Sequence, residues 1–224
     1  MLLTIKKVLS RQQLMMIKKL LQNAEFVDGK LSAGKEAEAV KNNLELSQQS
    51  PLQQQLNTMV MNTLLQNKTY QQVAYPYRVA TPFYVRYTKG MAYGFHVDDP
   101  VMGVMGQQYR TDVSTTLFLN EPVEYEGGEL LIQTAFGEQR VKLNAGDAVV
   151  YPSSRLHRVT EVTQGERFAA VIWAQSIIKN AEQRELLHEL STARDSLLNT
   201  QPNNEQTRHV SNVYSNLVRM WSVF

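Results

Sequence analysis

The sequence predicts a mainly β fold flanked by helices, and three observations carry that expectation. Between about Tyr77 and Gln175, short runs rich in β-branched and aromatic residues are separated by Gly, Pro, Asn and Asp, the pattern of an all-β sandwich or barrel. On either side of that span, apolar residues recur at helical spacing instead. The β-like span is about 100 residues long, a normal size for one such unit.

Taken in order, residues 1–9 alternate loosely and predict a strand. Ser10 reads as an N-cap, with Gln13 three residues on completing a capping box. Leu14, Ile17 and Leu21 then form one apolar helical stripe, and Gly29 and Gly34 fall in the loop beyond it. Residues 48–72 are rich in glutamine, yet Leu52, Leu56, Met59, Val60 and Leu64 keep helical spacing through them. An amphipathic helix with a glutamine-rich wet face is expected there. The strand-like runs follow: PFYVRY, YGFHV, DVSTTLFL, GELLI, QRVKL, DAVVY, HRVTEV and RFAAVIW. After Gln175, Leu186, Leu190, Ala193 and Leu197 make one stripe, QPNN at 201–204 a turn, and Val210, Val213, Tyr214, Leu217 and Trp221 a second stripe. The expected division is 1–77, a helical region packing on the core; 78–176, the β core; and 177–224, a C-terminal helical extension.

Composition narrows the chemistry. A net charge of +2 is too small to point to nucleic acid or an anionic membrane. The chain has no cysteine, so a metal would be held through nitrogen and oxygen. No segment approaches the roughly 20 apolar residues of a membrane helix, and Lys6 and Lys7 interrupt the N-terminus where a signal peptide needs its apolar run. A soluble, unprocessed cytoplasmic protein is the expectation.

Two of the four histidines stand in informative places. His96 and Asp98, in GFHVDDP, are two apart on a strand-like run, so imidazole and carboxylate project to the same face. His157, in SSRLHRV, offers a third donor. Two histidines and one carboxylate are the facial set of non-haem iron(II) oxygenases, which leaves coordination positions open. Ten residues on, Arg167 opens the apolar run RFAAVIW. Burying it there calls for an anion, and its planar fork suits a carboxylate; the alternative is an edge-strand arginine facing water. Arg167, Ala169, Val171 and Trp173 share one strand face, and the small Ala169 leaves room for a ligand.

The segments YTKGMAYGFHVDD, EYEGGELLI and AGDAVVYPSSRLHRVTEVTQGERFAAVIW resemble the prolyl 4-hydroxylase branch of the iron/2-oxoglutarate dioxygenases, and more closely the bacterial PKHD-type hydroxylases. The match covers about 78–176, and the tail resembles that subfamily's C-terminal extension. The resemblance implies a double-stranded β-helix, or jelly roll, in which His96, Asp98 and His157 bind iron and Arg167, from the opposing sheet, pairs with the distal carboxylate of 2-oxoglutarate. It places Tyr87 and Tyr93 near co-substrate and substrate, although both equally suit packing in the wall and Tyr87 is offset by about a residue from the family pattern. It implies hydroxylation of an unactivated C–H with release of succinate and CO2, O2 as co-substrate and L-ascorbate as a further cofactor. Relatives suggest a peptide-like substrate or a link to iron uptake.

Other residues have plainer readings. Asp99, on the opposite face and before Pro100, suits a turn; Gly127 and Gly128 a tight hairpin or bulge; Gly146-Asp147 a turn. His188 is expected in solvent, and His209 in capping or packing. Rival functions are a halogenase, against which Asp98 argues, a nucleic-acid demethylase, against which the charge argues, a non-catalytic metal-binding or sensory jelly roll, and an interaction module. The helical tail offers a surface for homo-oligomer formation.

Overall fold

In the structure, a computed structural model that describes residues 1–224 apart from the side chains of Lys35 and Glu36, two antiparallel sheets lie against each other. The larger has eight strands. In spatial order its path runs Leu3–Ile5, Ala148–Pro152, Val113–Phe118, Arg167–Ser176, Phe83–Tyr87, Leu44–Leu46 and Phe26–Asp28, with Pro76–Val79 pairing the far half of Arg167–Ser176. The smaller has five, in the order Gly137–Val141, Leu130–Thr134, His157–Val159, Ala92–His96 and Lys41–Asn42.

The strand Arg167–Ser176 shows why this sandwich forms. It is central in its sheet and nearly buried throughout, so its sequence reads as a continuous apolar run. Ala169 faces the space between the sheets, packed with Val85, Phe118, Val149, Leu130, Ile132 and Val159. Phe168, Ala170, Ile172 and Ala174 face the other way, into a second core shared with the helices through Ile17, Leu21, Leu56, Val60 and Leu64. The architecture is helices, large sheet, small sheet.

The first helix, Arg11–Gln22, has the expected Ser10–Gln13 capping box and buries Ile17 and Leu21. The glutamine-rich stretch is two helices, Gln53–Gln66 and Lys68–Ala74. They part at Asn67, whose side chain accepts from the Tyr70 backbone N–H and so caps the second helix. The segment before residue 77 departs from a purely helical reading. Besides its helices it gives three strands to the large sheet through Leu3–Ile5, Phe26–Asp28 and Leu44–Leu46, and an edge strand to the small one through Lys41–Asn42. The last three have only two or three residues, too few for period-two alternation to show.

The C-terminal extension is the helix pair Ala181–Thr200 and Glu205–Trp221. The expected stripe Leu186–Leu190–Ala193–Leu197 is displaced: the buried face is Arg184, Leu187 and Ser191, while Leu186 is exposed. Polar residues are accepted on that face because they are hydrogen-bonded. Arg184 donates to the carbonyls of Ile178 at 2.7 Å, Lys179 at 2.9 Å and Asp112 at 3.2 Å. In the last helix, Tyr214, Leu217 and Trp221 do pack inward, against Tyr75, Ile178 and Leu187. His188 is half-buried, not solvated, with Nδ1 lacking a partner among the described residues. His209 is exposed beside Glu205 and neither caps nor packs. No helix among the described residues is long and apolar enough to cross a membrane.

Candidate active site and metal centre

The open end of the sandwich holds a cavity whose empty space, with the solvent of its mouth included, is about 790 Å³. His96, Asp98 and His157 line it from the small-sheet side, and Arg167, Val171 and Trp173 from the large sheet.

Alternation at the end of Ala92–His96 is as expected. Phe95, Val97 and Asp99 are exposed, while His96 and Asp98 turn inward. His157 pairs with His96 across neighbouring strands, so backbone register brings the third donor to the first two. One ligand atom from each of His96, Asp98 and His157 lies within 4.8 Å of those of the other two, and His157 Nε2 stands 3.8 Å from Asp98 Oδ1.

The surroundings prepare these groups to bind a cation. His96 Nδ1 lies 2.8 Å from the carbonyl of Gly94, and His157 Nδ1 2.8 Å from that of Arg155. A carbonyl only accepts, so each Nδ1 carries the proton and each Nε2 keeps its lone pair for a metal. Burial, reinforced by the neighbouring His157, lowers the His96 pKa to about 4, so the imidazole is neutral at ordinary pH, the form that ligates. Tyr93 stacks on the His96 ring, with centroids 3.6 Å apart, and Tyr151 meets His157 edge-on at 5.2 Å. Asp98 is held by Ser114, whose hydroxyl donates to Oδ2. With its only proton spent there, Ser114 Oγ accepts from Ser153 Oγ at 2.7 Å.

Arg167 lies across the cavity. It is 2% exposed on a central strand, which removes the alternative of an edge arginine facing water. Its guanidinium lies 5.1 Å from the Tyr87 ring and 5.6 Å from that of Phe118, and its Nε has no hydrogen-bond partner among the described residues. Gly128 makes room for its stem: a Cβ there would come to 3.1 Å from Arg167 Cδ, and φ is +63°. Gly127, beside it, forms the expected bulge. Tyr87 pairs with Arg167 in register. Burial pushes its phenol up to about 12, against the pull of Arg167, so it stays protonated and able to donate.

The donor set therefore fits ferrous iron, with two imidazole nitrogens, one carboxylate and no thiolate. A buried guanidinium opposite, its Nε without a partner among the described residues, fits an organic anion. Residues that sequence reading missed are Ser114 and Ser153 behind Asp98, and Lys41, Asn43 and Glu45, which line the cavity from the N-terminal segment. The hydroxyl run in VSTTLF, ordinary for a strand, gave no signal for the first; only its complete burial in the fold marks it.

Comparison with known proteins agrees with this geometry. Residues 82–175 match the 2OG-Fe(II) oxygenase superfamily, and residues 182–222 the PKHD-type hydroxylase C-terminal domain. A PKHD-type hydroxylase of Thioalkalivibrio sulfidiphilus is 49% identical, over 99% of both chains. The chain belongs to the PKHD-type hydroxylases. Further relatives of that name are 45% identical in Synechococcus elongatus, over 99% of this chain and 100% of the other, and 41% identical in Acinetobacter baumannii, over 97% of each.

Solved structures show the same fold at low identity. A prolyl 4-hydroxylase of Pseudomonas putida has a TM-score of 0.56 at 19% identity, over 78% of this chain and 92% of that one. A Trichoplax adhaerens prolyl hydroxylase, solved with a hypoxia inducible factor peptide fragment, has a TM-score of 0.57 at 14% identity, over 83% and 86%. HygX of Streptomyces hygroscopicus, with nickel, 2-oxoglutarate and hygromycin B bound, has a TM-score of 0.55 at 14% identity, over 80% and 84%. The PKHD-type hydroxylase described here thus has the jelly-roll core of the 2-oxoglutarate/iron(II) oxygenases, and it is an iron(II)- and 2-oxoglutarate-dependent dioxygenase.

Proposed function

We propose that His96 Nε2, His157 Nε2 and the Asp98 carboxylate hold one ferrous ion, and that Arg167 binds the distal carboxylate of 2-oxoglutarate, with Tyr87 donating to the same group. The observation that carries this reading is Arg167, a guanidinium buried on a central strand and facing the three donors across one cavity. A passive metal site has no use for it. Bound iron supplies open positions for 2-oxoglutarate and O2. The chain's own residues keep the His96 imidazole neutral, hold both Nδ1 protons on backbone carbonyls, orient Asp98 through Ser114, and anchor the far end of the co-substrate so that its reacting end meets the metal. Tyr93, flat against His96, fixes that ring and closes one side of the cavity.

The substrate reading is a small polar or peptide-like molecule bearing an unactivated C–H. Neighbours solved with a peptide fragment and with hygromycin B support a site of that kind. L-ascorbate, implied by the family, would keep the iron ferrous, and ferrous iron suits the reducing conditions of the cytoplasm.

Anaerobic calorimetry of iron-loaded protein with 2-oxoglutarate tests the assignment. Arg167→Ala should weaken 2-oxoglutarate by about 3–5 kcal/mol, the cost of leaving a buried charge unpaired, while iron binding is kept. Arg167→Lys should recover only part, because a point charge cannot reproduce the fork. Wild-type 2-oxoglutarate affinity in Arg167→Ala would remove the arginine from the site.

A further inference from the structure

The strand pair that leads into Arg167 also brings a phenol to it. Tyr125–Gly127 pairs with Val162–Gly165, with Tyr125 opposite Gly165 in register, and the chain reaches Arg167 two residues later. Tyr125 is 3% exposed and stays out of the cavity lining that Arg167 joins. Two glycines let it in. A Cβ on Gly165 would come to 3.0 Å from Tyr125 Cα. A Cβ on Gly128 would stand 3.1 Å from Tyr125 Cε2 and also 3.1 Å from Arg167 Cδ. The edge of the ring and the stem of the arginine therefore meet beside one glycine. Lys142 clamps the same residue: its Nζ lies 4.2 Å from the ring centroid and donates to the Tyr125 carbonyl at 2.9 Å.

A guanidinium that receives a carboxylate on two N–H groups must hold its planar fork in one orientation. The Tyr87 and Phe118 rings lie near its charge, but a ring face attracts a cation without fixing the direction of an N–H. A phenol oxygen accepts along a defined line. Tyr125 Oη makes no close hydrogen bond among the described residues, and the polar group it meets is the Arg167 guanidinium. Burial raises the phenol's pKa, and Arg167, as a charge and as a donor, draws it back. We propose that Tyr125 is a positioning residue for the co-substrate: its hydroxyl oxygen accepts from Arg167 and turns the fork toward the distal carboxylate of 2-oxoglutarate. This deepens the assignment of Arg167 made above and rests on it. Tyr125 acts through Arg167 alone, so its hydroxyl matters only to binding that uses the distal carboxylate. The glycines of EYEGG then seat the arginine as well as forming the bulge.

The test compares 2-oxoglutarate with 2-oxobutyrate, which has the same chelating end and no distal carboxylate, by anaerobic calorimetry on Fe(II)-loaded protein. Tyr125→Phe removes one oxygen. It should weaken 2-oxoglutarate about tenfold, the scale of a hydrogen bond to a charged group, and leave Fe(II) and 2-oxobutyrate affinities as they are. In Arg167→Lys, whose ammonium has no fork to turn, the same substitution should cost less than about twofold. Gly128→Ala, which parts ring and stem, carries the same comparison if Tyr125→Phe fails to fold. Wild-type 2-oxoglutarate affinity in Tyr125→Phe overturns the proposal. An equal loss for both oxo acids overturns it too, because that is the mark of a merely structural role. So does a full tenfold loss in the Arg167→Lys background, which would have Tyr125 act without the arginine's fork. Failure of the Arg167 reading is distinct: Arg167→Ala would then keep wild-type affinity for 2-oxoglutarate.

Discussion

At the scale of single residues, the site depends on how protons are allotted. Two backbone carbonyls claim the Nδ1 protons of His96 and His157, and Ser114 spends its own on Asp98. Ser114→Ala should therefore free the Asp98 carboxylate to rotate and weaken Fe(II) about 10- to 100-fold, the usual cost of losing a group that orients a ligand. Calorimetry with Fe(II) checks this, and 2-oxoglutarate affinity at saturating iron should change little. Unchanged iron affinity would reduce Ser114 to a packing residue. The positions of His96, Asp98, His157 and Arg167 were legible in the sequence because each puts charge or a metal donor on a strand where apolar residues are expected. Ser114 was not legible. Serine and threonine are ordinary in strands, and only the pairing of Val113–Phe118 between Ala148–Pro152 and Arg167–Ser176 sets its hydroxyl behind Asp98.

At the scale of elements, long periodic segments were readable and short or polar ones were not. Most strands from Phe83 to Ser176 lie where β-branched and aromatic runs put them, while the short strands Val101–Met102, Tyr109–Arg110 and Tyr125–Gly127 fall outside those runs. The strands Lys41–Asn42 and Leu44–Leu46 escaped because their inward residues, Lys41, Asn43 and Glu45, are polar, the reverse of the usual pattern. The tail helix was readable but its buried face was not, since hydrogen bonds to loop carbonyls let Arg184 hold a place that apolar spacing assigns to leucine. Its docking carries a pH signature. The Arg194 guanidinium, and then the Lys68 ammonium, hold the Asp195 carboxyl well below its ordinary value of 3.8. Lys68 belongs to the neighbouring helix Lys68–Ala74, at 2.9 Å. Protons bind the unfolded carboxylate more readily than the folded one, so its contribution is complete above about 3.8 and is lost as the pH falls below that value. Denaturation midpoints followed downward from about pH 5 should decline less steeply in Asp195→Asn than in wild type. Parallel declines would mean that this ion pair adds nothing to tail docking.

At the scale of the whole molecule, two sheets of different size do different work. The large sheet is packed on both faces, between helices and small sheet, and supplies a rigid floor that carries Arg167. The small sheet presents His96 and His157 on neighbouring strands at the open end. The N-terminal segment joins both sheets and becomes a cavity wall, so the chain's first 46 residues belong to the site as well as to the scaffold. The account's central claim is that this arrangement turns over 2-oxoglutarate. The most direct measurement is succinate formation by wild-type protein, Asp98→Ala and Asp99→Ala, each with Fe(II) and 2-oxoglutarate under air. Wild type should make succinate slowly even without its substrate, and only when Fe(II) and O2 are both supplied. Asp99→Ala, altered at an exposed residue that borders the cavity but lies outside the three-donor cluster, should still make it, and Asp98→Ala should make none even if the two histidines retain some iron. Wild-type protein that binds Fe(II) and 2-oxoglutarate yet forms no succinate, or activity that survives in Asp98→Ala, would contradict the claim.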